Sequence, residues 1–182
     1  MVKKLTITTA LEPFLSRPKE ELHLADISRQ LCEPHPTVRQ HLNVLEKEGI
    51  LRKRTKGRLT LYSLNNENDL LIDYLMIAEK QRLIMSCKDL HLKEIINHIR
   101  SEIPRSESII FGSAAVNFLK ANDIDLLVIG MDNIKLPARF NKSLHVINVK
   151  SLDKVTETLK QGIVKKHLII NGSDNLVRWL LL

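Results

Sequence analysis

The stretch that decides the N-terminal fold is LADISRQLCEPHPTVRQHLNVLEKEGI, residues 24–50. It contains two apolar helical repeats, which are separated by a short segment with two prolines. Pro36 suits the first turn of the second helix, because the N–H that proline lacks would have no partner there. Gly49 suits the end of that helix, since glycine readily takes the left-handed conformation that closes many helices. The stretch therefore predicts two short packed helices joined by a turn.

The residues after this stretch predict a basic β-hairpin. LRKRT and RLTLYSL, joined by Lys56-Gly57, have the pattern of two strands with a tight turn. Residues 51–58 carry five basic side chains in eight positions. Residues 1–64 hold 12 Lys and Arg against 7 Asp and Glu, whereas residues 65–182 hold 16 against 14. Most of the excess positive charge therefore lies in the first third, which favours contact with nucleic acid.

Helix, turn, helix and basic hairpin in this order resemble the winged helix-turn-helix of prokaryotic transcription regulators, over roughly residues 5–64. If the apolar face of the second helix packs inward, its polar face can reach base edges in a major groove. The candidate base-reading residues are Thr37, Arg39, Gln40 and Asn43. The candidate phosphate contacts are Arg52, Lys53, Arg54, Lys56 and Arg58. A winged helix that contacts only protein is the alternative, because a fold does not fix a function.

Residues 66–104 predict a helical connector. The segment contains no Gly, its first Pro is Pro104, and it is rich in Leu, Ile, Met, Glu and Lys, so we expect one long helix over 66–103. LLIDYLMI, residues 70–77, is apolar on nearly all sides and must be covered. The surface that covers it is either a second copy of the chain or another part of the same chain. For a DNA-binding regulator we expect a homodimer.

From Glu107 onward, short β-rich runs alternate with helical segments. SIIF, DIDLLVIG and LHVINV predict strands, whereas AAVNFLKA and SLDKVTETLKQG predict helices. HLIINGSDNLVRWLL, residues 167–181, predicts a turn followed by a final helix. This part of the chain therefore predicts an α/β domain with a small mixed sheet.

Two acidic residues stand in one of these predicted strands. Asp123 and Asp125 are two positions apart, so their side chains leave the same face, while Ile124 points to the other. Like charges on one face repel, and Mg²⁺, which prefers carboxylate and phosphate oxygens, would relieve that repulsion. Upstream, Gly112 and Ser113 follow SIIF and open a helix, where free N–H groups attract phosphate. The spacing thus joins a phosphate site to a metal site.

FGSAAVNFLKANDIDLLVIG, residues 111–130, resembles the Gly-Ser and Asp-x-Asp signature of minimal nucleotidyltransferases in the DNA polymerase beta superfamily. The resemblance implies that Asp123 and Asp125 are catalytic and bind Mg²⁺. It also implies that Gly112 and Ser113 bind the triphosphate of a nucleoside triphosphate. The C-terminal domain is therefore expected to be nucleotidyltransferase-like.

The resemblance further implies a third carboxylate on a later strand, which would bind metal and act as a general base. The candidate strand, LHVINVK, offers His145 and Asn148 but no acid, and the nearby acids Asp132 and Asp153 fall in the flanking loop or helix. We therefore expect nucleotide or metal binding with weak catalysis or none. The alternatives are an active, antitoxin-like, Mg²⁺-dependent nucleotidyltransferase with a toxin-like protein partner, a module kept for sensing or oligomerisation, and an acidic cluster at a strand edge with no ligand.

Composition sets the remaining expectations. Cys32 and Cys87 stand far apart without metal-ligand spacing, which indicates a reducing compartment. The tail NLVRWLLL is shorter than the roughly 20 apolar residues that a membrane helix needs. The sequence thus predicts a cytoplasmic α+β protein without membrane contact that binds double-stranded DNA as a transcription regulator. Its expected parts are a winged helix (1–65), a connector (66–104) and the nucleotidyltransferase-like domain (105–182).

Overall fold

The chain is α+β, as predicted, with one three-stranded antiparallel sheet and one four-stranded mixed sheet. The computed structural model describes residues 5–130, 134–135, 137 and 140–181. The chain divides into two compact units, the first ending at Gln81 and the second beginning at Arg82. The three-part division that the sequence suggests stays a prediction. No helix among the described residues is long and apolar enough to cross a membrane.

The first unit contains the predicted helix-turn-helix. Its helices are α1 (Glu12–Leu15), α2 (Leu24–Leu31) and α3 (His35–Lys47). Pro36 lies in the first turn of α3, as expected, and α2 packs against α3. Gly49 follows α3 with a φ of +71°, so it has the left-handed conformation that the sequence predicts.

A small antiparallel sheet completes this helical core. The strands are β1 (Leu22–His23), β2 (Leu51–Lys56) and β3 (Leu59–Leu64), in the order β1-β3-β2. β2 and β3 form the predicted hairpin, residues 51–64, which we call the wing. β1 was not predicted, because two residues are too few to produce a recognisable alternation.

The expected single helix over residues 66–103 is wrong. The segment forms two helices, α4 (Leu71–Ser86) and α5 (Leu90–Glu102). Asp89 lies before α5, and its carboxylate accepts a hydrogen bond of 2.9 Å from the N–H of Leu92. This N-cap satisfies an N–H that a continuous helix would have bonded to the preceding turn, so α5 begins anew without any Gly or Pro.

The apolar run at residues 70–77 is partly buried within the chain. Leu71 and Leu75 are buried, whereas Ile77 is about half exposed. Packing within the chain therefore accounts for part of the run. A homodimer contact at its exposed side stays a prediction.

The second unit contains the mixed sheet. Its strands are β4 (Glu107–Phe111), β5 (Asp123–Ile129), β6 (Ser143–Val149) and β7 (His167–Asn171), in the order β6-β5-β4-β7. β5 and β6 are parallel, while β4 pairs antiparallel with both β5 and β7. The first three strands lie where the sequence predicts them.

The remaining helices of this unit are short. They are α6 (Ser113–Val116), α7 (Glu157–Lys165) and α8 (Ser173–Leu181), with 3-10 turns at Phe118–Lys120 and Leu152–Lys154. The helices predicted from AAVNFLKA and SLDKVTETLKQG are therefore each divided between a 3-10 turn and an α-helix. The sequence pattern predicts no strand in HLIIN, whereas the structure shows that this run forms β7 and pairs with β4. The final helix is present as α8.

The apolar stripe of α5 packs on one face of the mixed sheet. Ile95, Ile96 and Ile99 form one core cluster with buried residues of all strands but the edge strand β6. Ile124 of β5 belongs to this cluster and is fully buried. Because side chains alternate along a strand, the two residues beside Ile124 point to the opposite face of the sheet.

Candidate functional site

The predicted base-reading residues lie on the solvent side of α3. Val38, Leu42 and Leu45 are buried against the rest of the first unit. The other side of the helix carries Thr37 and Asn43, which are half-buried, and Arg39 and Gln40, which are exposed. Arg39 and Gln40 are therefore the two candidates that can reach a partner without any local rearrangement.

Asn43 is linked to the wing. The Lys53 ammonium lies 3.4 Å from the Asn43 side-chain oxygen and also 3.4 Å from a Glu46 carboxylate oxygen. Lys53 and Asn43, both predicted DNA contacts, are therefore bonded to each other, and Lys53 is also paired with Glu46.

Two further wing cations are paired with acids that belong to no predicted site. Arg52 forms an ion pair of 2.5 Å with Glu67, and Arg54 is ion-paired with Glu21. Exposed pairs of this kind contribute roughly 0–1 kcal/mol, so they can exchange for other partners.

The tip of the wing keeps its positive charge. Lys56 and Arg58 flank Gly57, are exposed, and pair with no acid in the part of the chain that the structure describes. Gly57 has a φ of +61°, which glycine adopts readily in tight hairpin turns. The turn therefore presents two uncompensated cations.

Tyr62 lies on β3 directly opposite Lys53 and is buried. Its hydroxyl is buried without a hydrogen-bond partner in the described structure. Burial raises the pKa of Tyr62, and the Lys53 ammonium acts in the opposite sense. The phenol is therefore neutral at ordinary pH and does not offset the positive charge of the wing.

The second site lies where β5 and β6 run side by side. The parallel register pairs Asp125 with His145 and Asp123 with Ser143. Asp123, Asp125 and His145 each offer one ligand atom, and these atoms all lie within 4.8 Å of one another. The structure thus adds His145 to the two predicted aspartates. We call these three residues the Asp–Asp–His cluster.

The cluster is open to solvent and joined by long contacts. His145 Nδ1 lies 3.7 Å from Asp123 Oδ2 and 3.5 Å from Asp125 Oδ1. The His145 side chain is 60% exposed, so a ligand can reach it. Among the described residues, no Lys or Arg forms an ion pair with either aspartate. The carboxylates are therefore not already neutralised by a fixed cation.

Gly112 brings the start of α6 against the cluster. It has a φ of +74°, and a Cβ placed there would lie 2.9 Å from Asp125 Oδ2. Only glycine meets both conditions without displacing the carboxylate. Ser113 follows as the exposed first residue of α6. The predicted neighbourhood of Gly112 and Asp125 is therefore present.

The other polar candidates lie away from the cluster. Asn148 is three positions from His145 along β6, so its side chain leaves the opposite face of the sheet. Asp153 is engaged locally, because the Ser151 hydroxyl and then the Lys154 ammonium hold the pKa of its carboxyl below the usual range. Asp132 lies outside the described residues.

The donor set decides which metals fit. Two carboxylates fit Mg²⁺, which takes oxygen ligands. An imidazole nitrogen suits Zn²⁺ and similar transition ions better. The carboxylates were predicted from their spacing, whereas His145 required the strand register, which pairs it with Asp125.

Comparisons of the chain with protein-family models, with curated proteins and with solved structures found no match.

Proposed function

We propose that the first unit binds double-stranded DNA and that the protein is a transcription regulator of the cytoplasm. The observation that carries this proposal is the exposed polar face of α3, with Arg39 and Gln40, in the same unit as a wing that ends in two uncompensated cations. Side chains on a helix can read base edges, and a basic hairpin can contact phosphates. Binding as a homodimer is part of the proposal and is supported by the exposed Ile77 on α4.

The acids paired with the wing have a role in this proposal. Glu21, Glu46 and Glu67 hold three wing cations in place and lower the net charge of the surface. Phosphates would compete with these carboxylates for the same cations. Sequence-independent affinity for DNA therefore depends mainly on Lys56 and Arg58, whereas the α3 residues provide the sequence specificity.

For the second unit we propose binding of a divalent cation together with a nucleotide. Asp123 and Asp125 would hold the cation, and Gly112, which lies against Asp125, and the following Ser113 would receive the phosphates. Catalysis is not part of this proposal, because the cluster contains an imidazole in place of a third carboxylate. The bound nucleotide is then a signal that the regulator senses.

Removal of the wing-tip cations tests the DNA proposal. We expect Lys56→Ala with Arg58→Ala to weaken binding to a random-sequence duplex. Each lost phosphate contact removes about one unit from the slope of log affinity against log salt concentration, so the double variant should lose about two. Fluorescence anisotropy over a series of salt concentrations measures this slope.

Lys88→Ala with Lys93→Ala is the matched control, because both lysines are exposed on the second unit and the charge change is the same. We expect its slope to stay close to that of the wild type. Equal slopes for all three proteins would contradict the proposed role of the wing.

Nucleotide-dependent stabilisation tests the second unit. A ligand that binds only the native state raises the free energy of unfolding, by about 2.7 kcal/mol at 100 times its Kd. We expect a higher Tm with a nucleoside triphosphate and Mg²⁺ together, and no such rise for Asp123→Asn with Asp125→Asn. A thermal-shift assay measures the Tm with Mg²⁺ and each of the four common ribonucleoside triphosphates in turn.

Asp69→Asn with Asp174→Asn changes the net charge equally at exposed positions outside the cluster and should keep the wild-type response. A Tm that rises as much in the Asp123 and Asp125 variant as in the wild type would place the nucleotide elsewhere.

A further inference from the structure

The contacts within the Asp–Asp–His cluster are too long for hydrogen bonds. Donor and acceptor in a protein N–H···O bond are separated by about 2.7–3.2 Å. His145 Nδ1 lies 3.5 and 3.7 Å from the two carboxylate oxygens. The imidazole therefore faces both carboxylates across a gap and is not bonded to either of them.

The size of this gap matches a metal ion. Zn²⁺ binds nitrogen and oxygen ligands at about 2.0–2.2 Å in tetrahedral geometry, which places neighbouring ligand atoms about 3.4 Å apart. Octahedral Mg²⁺, with bonds of about 2.0–2.1 Å, places adjacent ligands about 2.9 Å apart. The observed 3.5 and 3.7 Å between His145 and the carboxylates are closer to the tetrahedral spacing, and all three ligand atoms lie within 4.8 Å of one another.

The donor types and the number of ligands point the same way. An imidazole nitrogen is a common ligand of Zn²⁺ and an unusual one for Mg²⁺. Three protein ligands with a fourth position open are typical of zinc sites that take an exogenous ligand. The exposed side of the cluster leaves room for that fourth ligand, such as a phosphate oxygen or water.

We propose that Asp123, Asp125 and His145 form a tetrahedral site for a zinc-class transition ion, with the fourth position open to a phosphate oxygen. This inference deepens the proposed function of the second unit and rests on its cation site. His145 acts as a metal ligand on the strand where the resemblance to nucleotidyltransferases implies a third carboxylate.

Titration of the full chain with Co²⁺ tests this proposal, because tetrahedral Co²⁺ absorbs visible light far more strongly than octahedral Co²⁺. We expect an intense visible band that saturates at one equivalent and is displaced by Zn²⁺ but not by Mg²⁺. His145→Ala should lower Co²⁺ affinity by at least about tenfold, since even partners of metal ligands contribute about 10–100-fold. His91→Ala, at an exposed histidine of α5, should leave the titration unchanged.

His145→Asp provides a gain-of-function test that loss of folding cannot imitate. It makes the cluster all-oxygen, so we expect the visible band to disappear while Mg²⁺-dependent stabilisation by nucleotide increases. A tetrahedral band of unchanged strength in His145→Ala would overturn the proposal. Stabilisation by Mg²⁺ and nucleotide without any tetrahedral Co²⁺ band would overturn it as well and leave the proposed function standing. If no divalent ion binds the wild type, both fail.

Discussion

Replacing Arg39 by alanine should lower the affinity for a specific duplex by about 5–150-fold, since a bidentate contact to a base contributes about 1–3 kcal/mol of discrimination. Arg39 is exposed on α3 and forms no ion pair in the described structure, so no local interaction has to be broken before it reaches a base. The specific duplex is obtained by selecting bound sequences from a random library with the wild-type protein. Anisotropy titration at fixed salt then compares the two proteins.

The same selection repeated with Arg39→Ala should give a site in which one or two positions have lost their preference. Arg29→Ala is the matched control, because this arginine is exposed on α2 and paired with Asp26 at 3.0 Å. If both variants lose the same small amount of affinity and select the same site, Arg39 contributes only charge and α3 does not read sequence.

Replacing Ile124 by alanine should destabilise the second unit by about 2–5 kcal/mol, which is the usual cost of emptying a buried isoleucine site. Ile124 is fully buried between two half-buried aspartates, and its packing on α5 fixes the strand that carries both of them. Urea denaturation followed by fluorescence measures this loss. The only tryptophan of the chain, Trp179, lies in α8 of the same unit and reports on its unfolding.

Ile147→Ala provides the comparison at the same sheet. This isoleucine is 36% exposed on β6, so it has less buried surface to lose and should cost less than about 1 kcal/mol. Equal losses for Ile124→Ala and Ile147→Ala would mean that the aspartates do not depend on the α5 core for their position.

The parts of the fold that the sequence predicted are those with local signals. Pro36 and Gly49 mark the limits of α3, and Gly57 marks the hairpin turn, because each has a backbone preference that acts without distant contacts. The break between α4 and α5 was missed because Asp89 is its main signal, and an aspartate inside a helical pattern is common.

Other features depend on pairing between distant segments. HLIIN becomes β7 only because β4 accepts it as a partner, and a short apolar run does not itself distinguish a strand from a turn or helix. The two aspartates were recognisable from their spacing. The place of His145 beside them depends on the parallel register of β5 and β6, which pairs it with Asp125 and which no local pattern encodes.

The glutamates on the wing have a consequence for how such a protein would search a chromosome. A cationic surface that is partly occupied by its own carboxylates holds any given stretch of DNA for a shorter time. We expect brief stays at random positions, frequent release, and long residence only where α3 finds matching bases. Partial neutralisation of the wing by these glutamates would then shorten the time needed to reach a rare operator.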